Sequence, residues 1–171
     1  MDAGTRAAAS GVIHPEWLND RSEFQRNYVH GLRNRSGLQL QYELEGERIV
    51  TTWTPNDDHV GFPGFVHGGL LAAVLDDTMG RFAALHRRFL VTARLEVRYR
   101  DAAPLGGPLR IEAWSTRMAR RALHAAGHVV TPDGGVAADA TATYLPLTKS
   151  LERRMVDAWP GFAEYLVEPA R

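Results

Sequence analysis

The feature that most constrains this chain of 171 residues is a single long helical pattern between two groups of strand patterns. Over 68–87, large apolar side chains recur at helical spacing and fill one half of the helix circumference, at about 100° per residue. They are Leu70, Leu71, Val74, Leu75, Met79, Phe82 and Leu85. We expect this apolar half to pack on a sheet that wraps the helix.

Alternating apolar and polar residues predict six strands, two before the helix and four after it. The strand patterns cover 38–44, 49–53, 91–99, 109–113, 123–130 and 136–145. Gly46 and the segment 131–135 supply the turn residues of two tight hairpins. Short helices are predicted near 15–24 and over 151–166, the second broken at Pro160. The sequence therefore predicts one α+β domain in which an antiparallel sheet of six strands wraps one long central helix.

Charge and cysteine content exclude several classes of function. The chain has 20 Lys and Arg against 20 Asp and Glu, which argues against a general electrostatic grip on nucleic acid or an anionic membrane. It contains no cysteine, so disulfides, thiol nucleophiles and Cys-ligated metals are excluded. No apolar run approaches the roughly 20 residues of a membrane helix, and the start lacks a secretory signal pattern. We expect a cytoplasmic protein without nucleic-acid or membrane partners.

The opposite half of the helix circumference is lined by small residues instead of the charges typical of a solvated face. Asp76 stands near the centre of this half and Asp77 at its edge. A buried carboxylate without partners is costly, and its burial raises its pKa. Asp76 could be a surface acid, an ion-pair partner of Arg81, or a general base or nucleophile that faces a ligand or a second subunit. Asp77, about 100° further round, is predicted to be a helix-surface acid.

His67, Gly68 and Gly69 stand where the helix begins. Two glycines there allow a ligand to approach the backbone, and the free N–H groups of a first helical turn attract negative charge. Such a turn can serve as an oxyanion hole. A pair of glycines could equally be a simple turn before the helix.

The spacing of these residues, H-G-G at 67–69 followed by Asp76, resembles the hot-dog fold acyl-CoA thioesterases, in particular the PaaI-like branch that includes the THEM proteins. The similarity covers 28–147, with 1–27 left as a partly flexible N-terminal extension and 148–171 as a C-terminal helical extension. Two departures stand out. Asn27 and His30 occupy positions where many members have cysteines, and Gly61 stands where some have an Asn or Gln.

The resemblance implies that the chain hydrolyses an acyl-CoA or acyl-carrier-protein thioester. Asp76 would activate water or attack the thioester carbonyl, the Gly68 N–H, with or without that of Gly69, would polarise the thioester oxygen, His67 would shape the site, and Thr92 would hydrogen-bond the water or the carboxylate. No metal or redox cofactor is implied. The family also implies a homodimer or homotetramer with active sites between subunits.

Two other functions stay open. The absence of a polar side chain at Gly61 allows a protein that binds an acyl thioester without cleaving it, as a sensor or pathway accessory. A hot-dog hydratase or dehydratase is disfavoured, because no second acid–base residue is paired with a histidine in the sequence.

Further candidates are two arginines later in the chain and two aromatic residues just before the H-G-G motif. Arg120 and Arg121 could receive the phosphates of coenzyme A or lie in a solvated turn. Phe62 and Phe65 could line an acyl or aryl pocket or belong to the core.

Overall fold

The computed structural model describes residues 14–19 and 23–166, and the N-terminal stretch predicted to be flexible lies largely outside these residues. The strands and helices are β1 (Glu43–Glu45), β2 (Arg48–Trp53), β3 (Val60–Phe62), β4 (Phe65–Val66), α1 (Gly68–Leu85), β5 (Leu90–Tyr99), β6 (Leu109–Ala119), β7 (Ala122–Val130), β8 (Val136–Pro146) and α2 (Lys149–Ala158). Short 3₁₀ helices cover Pro15–Trp17, Glu23–Arg26, Asp57–His59 and Pro160–Leu166.

Six strands form one antiparallel sheet in the order β1-β2-β6-β7-β8-β5, and β3 and β4 form a separate hairpin. The apolar half of α1 packs on the larger sheet, with Val74, Leu75 and Met79 fully buried. The predicted α+β arrangement, with one long helix against a six-stranded antiparallel sheet, is confirmed. The strand β5 lies at one edge of this sheet and places its residues beside α1.

Two element boundaries differ from the prediction. The strand predicted over 38–44 is wrong over most of its length, since only Glu43–Glu45 pairs with β2. Gln39 has a φ of 53°, which an extended strand does not accommodate. Leu40 and Tyr42 are nevertheless buried, so the apolar alternation reflects packing without strand pairing. The helix α1 ends at Leu85, because Arg87 adopts a left-handed conformation with a φ of 50°.

Both ends of the described chain pack back onto the domain. The fully buried Phe162 contacts Phe89, with ring centroids 4.7 Å apart in an edge-on arrangement. The guanidinium of Arg87 lies over the ring of Trp17 at 4.8 Å. The helix α2 is preceded by the N-cap Thr148, whose hydroxyl accepts the Leu151 N–H. Both terminal segments therefore pack close to the C-terminal end of α1.

The prediction that Asp77 is a surface acid is wrong. Its carboxylate accepts a 2.5 Å hydrogen bond from the Tyr42 hydroxyl and a 3.0 Å ion pair from Arg81, and His30 Nδ1 lies 3.0 Å away. Asn27 shapes the turn that presents His30, because its side-chain oxygen accepts the Val29 and His30 N–H groups. The segment 27–42 thus covers the side of α1 on which Asp77 lies.

These contacts keep the buried Asp77 charged. Burial by itself would raise the pKa of this carboxyl, but the charge of Arg81 and the hydrogen bonds from His30 and Tyr42 outweigh it and lower the pKa to about 2. Because the folded-state pKa lies below the unfolded value of about 3.9, this group stabilises the fold above about pH 4. The stabilisation is lost as the pH falls through about 2.

We expect Asp77→Asn to lower the free energy of unfolding by about 3 kcal/mol at neutral pH, because it leaves Arg81 buried without its counter-charge. Urea denaturation measures the loss. Asp139, whose ion pair with Arg100 is half-exposed, gives the matched control, and Asp139→Asn should cost less than about 1 kcal/mol. The difference between wild type and Asp77→Asn should shrink as the pH falls from about 4 towards 2. Equal losses in the two variants would contradict a structural role for the buried cluster.

Candidate active site

Asp76 lies in the middle of α1 and is held by two hydroxyl groups from the sheet. Thr92 Oγ1 is 2.9 Å from its Oδ1 and 3.2 Å from its Oδ2, and the Tyr144 hydroxyl is 3.0 Å from Oδ1. Thr92 and Tyr144 are direct cross-strand partners on β5 and β8. The ion pair of Asp76 with Arg81 that the sequence left open is not formed, since Arg81 binds Asp77.

A β-bulge sets the position of Thr92. The register between β5 and β8 shifts between Thr92 and Arg94, so that Ala93 is the extra residue on β5. Bulges bend a strand and change the direction of nearby side chains. The shift occurs next to the residue whose hydroxyl meets the Asp76 carboxylate.

The surroundings of Asp76 favour its protonated form more than water does. Its partial burial raises the pKa of the carboxyl, the hydrogen bonds from Thr92 and Tyr144 lower it, and the charge of Asp77 raises it further. The net effect is a pKa above the ordinary value for Asp. A carboxylate with a raised pKa is a stronger base, and this change suits it to accept a proton from water near neutral pH.

A cavity of about 350 Å³ opens beside Asp76 and follows the small-residue half of α1. This volume falls in the range of about 300–1,000 Å³ typical of small-molecule sites. Trp17 and Met155, from the two ends of the described chain, also line it. The remaining lining residues that bear on the argument are Gly80, Ala84, Thr92, Tyr144, His30 and Arg81. The small residues predicted to let a ligand approach α1 therefore border a space of suitable size.

The first turn of α1 is organised by His67. Its Nδ1 accepts the N–H of Gly69 at 2.9 Å, so that amide is already engaged. The N–H of Gly68 stands at the first helical position, where no partner exists within the helix. The Tyr99 hydroxyl donates to the Gly68 carbonyl at 2.9 Å, and a Cβ on Gly68 would lie only 3.2 Å from the Tyr99 ring. A side chain at this position would press on the Tyr99 ring.

Residues 63–138 match the family model described as the Thioesterase superfamily. Over these residues, from the β3–β4 hairpin through α1 to the start of β8, the chain is similar to a thioesterase superfamily domain. With its long helix packed on a six-stranded antiparallel sheet, the domain has the hot-dog fold that the resemblance implied.

Individual relatives agree with this assignment. The chain is 29% identical over 107 residues to acyl-coenzyme A thioesterase THEM4 of Xenopus laevis, a match that covers 62% of this chain and 48% of that protein. It therefore spans less than half the length of this relative. A solved thioesterase superfamily protein superposes with a TM-score of 0.67 at 26% identity, covering 82% of this chain and 70% of the other. A Streptococcus mutans protein solved with bound acetyl-CoA superposes with a TM-score of 0.61 at 22% identity, covering 72% and 98%.

Four predicted ligand contacts lie away from Asp76 within one chain. Phe62 and Phe65 sit on the β3–β4 hairpin, 78% and 43% exposed, and neither lines the cavity nor belongs to the core. Arg120 and Arg121 lie exposed in the turn between β6 and β7, where the Arg120 carbonyl accepts a hydrogen bond from Arg88. Phe62 and Phe65 are near the H-G-G motif only along the chain.

Gly61, where the resemblance led us to expect an Asn or Gln in some members, has no room for a side chain. A Cβ built there would lie 2.6 Å from the Cα of His67, closer than any real contact allows. The hairpin backbone would have to move before any side chain could fit. The packing of β3 against the start of α1 therefore excludes a polar side chain at Gly61.

Two residues at or near the site were missed in the sequence. Tyr144 was treated only as part of the strand pattern, and His30 only as a replaced cysteine. A tyrosine on the inward face of a strand opposite the helix is a usable signal, because a buried Tyr hydroxyl needs a hydrogen-bond partner. Nothing in the local sequence connects His30 with Asp77, which lies 47 residues further along.

Within 14–19 and 23–166, no three His, Asp or Glu side chains come close enough together to share a metal ion. In the same part of the chain, no helix combines the length and the apolar character needed to cross a membrane.

Proposed function

We propose that this domain hydrolyses acyl-CoA thioesters with Asp76 as the reacting carboxylate. The observation that carries the proposal is a half-buried carboxyl of raised pKa, held by two hydroxyls and open to a cavity of about 350 Å³. The name of the Xenopus laevis relative and the acetyl-CoA bound to the Streptococcus mutans protein support the choice of substrate. The related alternative substrate is a thioester in which a carrier protein takes the place of coenzyme A.

Two routes are open to this carboxylate. As a general base, Asp76 takes a proton from water while the water oxygen attacks the thioester carbon; the C–S bond then breaks and the thiolate receives a proton. As a nucleophile, it attacks the carbon itself, expels the thiolate and forms an anhydride that water cleaves. The raised pKa of Asp76 favours the first route. In both, Thr92 holds the carboxylate in one orientation through its hydroxyl.

The Gly68 N–H is proposed to stabilise the negative charge that develops on the thioester oxygen. Gly68 and Asp76 are eight residues apart on one helix, which places them about 12 Å apart along its axis at 1.5 Å per residue. Both groups must lie within about 3 Å of the reacting atoms. A single chain cannot bring them to one carbonyl, so we propose that Gly68 of one copy faces Asp76 of another.

The edge strand β5 offers the surface for such a dimer. It is ten residues long, carries Thr92 of the site, and pairs on one side only among the described strands. A long unpaired edge is a template for another strand. Arg94 and Glu96 lie two residues apart on β5, are both exposed, and form an ion pair with each other at 2.8 Å. If two copies pair in antiparallel register about Leu95, Arg94 of each stands opposite Glu96 of the other.

A charge-swap series tests this dimer. We expect Glu96→Arg to weaken association, because it places like charges opposite each other, and the double variant Arg94→Glu/Glu96→Arg to restore it. Light scattering coupled to size-exclusion chromatography reads the mass over a dilution series. A monomeric wild type would refute the dimer, and a double variant no better than the single one would refute this register.

The cavity along α1 is proposed to hold the acyl group. Ala84 lies on its wall beyond Gly80, so a bulky residue there should shorten the space available to the acyl chain. We expect Ala84→Phe to keep hydrolysis of acetyl-CoA within about threefold of wild type and to lose on the order of tenfold or more with hexanoyl-CoA and phenylacetyl-CoA. Ala84→Ser, which adds little volume, is the matched control. A uniform loss over all three substrates would place the acyl group elsewhere.

Asp76→Asn tests the central assignment. Because Asn can neither accept the proton nor attack as an anion, we expect thioester hydrolysis to fall on the order of a hundredfold or more. The chain has no cysteine, so released coenzyme A can be followed with a thiol reagent without protein background. Asp139→Asn, outside the cavity, should stay near wild type.

Thiol release unchanged in Asp76→Asn would remove the assignment. The packing at Gly61, which excludes the polar side chain that the resemblance implies for some members, favours a second function, the binding of an acyl thioester without cleavage. Measurable binding of acyl-CoA by calorimetry, with no turnover by the wild type, would support that function.

A further inference from the structure

Tyr144 makes contacts with Asp76 that differ from those of the other hydroxyl at the site. Its side chain is 3% exposed, and its ring lies against α1 at Gly80. The hydroxyl oxygen is 2.7 Å from the main-chain carbonyl oxygen of Asp76 and 3.0 Å from Oδ1 of the same residue. One phenol group therefore faces both the backbone and the carboxylate of Asp76.

A phenol carries one proton, so it donates to one of these two acceptors at a time. When it donates to Oδ1, it stabilises the ionised carboxylate. When it donates to the carbonyl, its oxygen lone pairs face Oδ1 and can accept a proton that Asp76 carries. Rotation of the hydroxyl about the Cζ–O bond exchanges the two arrangements without moving the buried ring.

We propose that Tyr144 is a positioning residue that supports the Asp76 carboxyl in both its ionised and its protonated form. A general base must be held in place before and after it takes up a proton, since it later returns that proton to the leaving group. Burial raises the pKa of Tyr144, as does the nearby charge of Asp76, so the phenol keeps its proton over the working range. It can therefore donate throughout the cycle.

Comparison with the neighbouring carboxylate shows why Asp76, and not Asp77, is the residue proposed to take up the proton. Tyr42 donates to Asp77 in the same way, but Arg81 also pairs with Asp77 and fixes it in the ionised form. The hydrogen bonds to the Asp76 carboxylate from described residues come from Thr92 and Tyr144, neither of which is charged. The other titratable or charged side chains that line the same cavity are His30, Asp77, Arg81, Arg87 and Arg88.

The test is a carboxyl titration that needs no catalytic activity. The ¹³C signal of the Asp76 carboxyl, assigned by its absence in Asp76→Asn, is followed against pH by NMR in wild type and in Tyr144→Phe. Because a hydrogen bond to the ionised carboxylate is stronger than one to the neutral carboxyl, loss of the phenol destabilises the ionised form more, and we expect the midpoint of the Asp76 titration to move to higher pH by about one pH unit. Phe keeps the ring, so the packing is conserved, and amide spectra check the fold.

Tyr42→Phe is the matched control, since it removes the same hydroxyl from the adjacent carboxylate. It should leave the Asp76 midpoint in place. An unmoved midpoint in a folded Tyr144→Phe, or the same shift in both variants, would overturn the inference.

A kinetic arm connects the titration with catalysis, and here the inference rests on the proposed function. We expect Tyr144→Phe to lower kcat by about tenfold with little change in KM, and to move the acid limb of the kcat/KM profile to higher pH. A merely structural role would lower the rate without moving that limb. If the wild type cleaves no thioester, the proposed function fails, and the NMR midpoints still decide the role of Tyr144.

Discussion

Two adjacent carboxylates on one helix are placed in opposite electrostatic surroundings, and the organisation of the domain follows from that contrast. Asp77 points into a buried cluster with Arg81, His30 and Tyr42, and its pKa is lowered to about 2. Asp76, turned about 100° from it, meets neutral hydroxyls and has a raised pKa. When surroundings separate the pKa values of neighbouring acids, one becomes a structural charge and the other is available for proton transfer.

The small-residue half of α1 leaves room both for Tyr144 and for the cavity beside Asp76. Because Gly80 and Ala84 project little from the helix, Tyr144 can approach from the sheet and a cavity can remain beside it. The larger apolar side chains on the other half fill the core. One side of the helix thus packs in the core of the domain, and the other side borders the proposed site. The sheet of the hot-dog fold covers the first side and supplies the two hydroxyl groups at the second.

Much of this could be predicted from the sequence, because the decisive signals are periodic or closely spaced. The helix over 68–85, the strands after it and the exceptional position of Asp76 follow from side-chain periodicity alone. Asp77 was misjudged because its partners His30 and Tyr42 are distant in sequence. The alternating buried residues before β1 predict a strand, but Gln39 interrupts the extended backbone there. The contact of Tyr144 with Asp76 could not be predicted, because it depends on the register between β5 and β8, which a bulge shifts.

The anchoring of residues 27–42 through His30 and Tyr42 also determines where the domain can open. Detaching this wall of the cavity would break the contacts of Tyr42 and His30 with Asp77 and expose the buried side chains of Leu40 and Tyr42 to water. Openings on that side therefore cost more free energy than openings that expose less buried surface. Trp17 and Met155, which line the far end of the cavity, are only partly buried. Less apolar surface has to be exposed there than on the side of residues 27–42, so local fluctuations that widen the cavity should concentrate at that end.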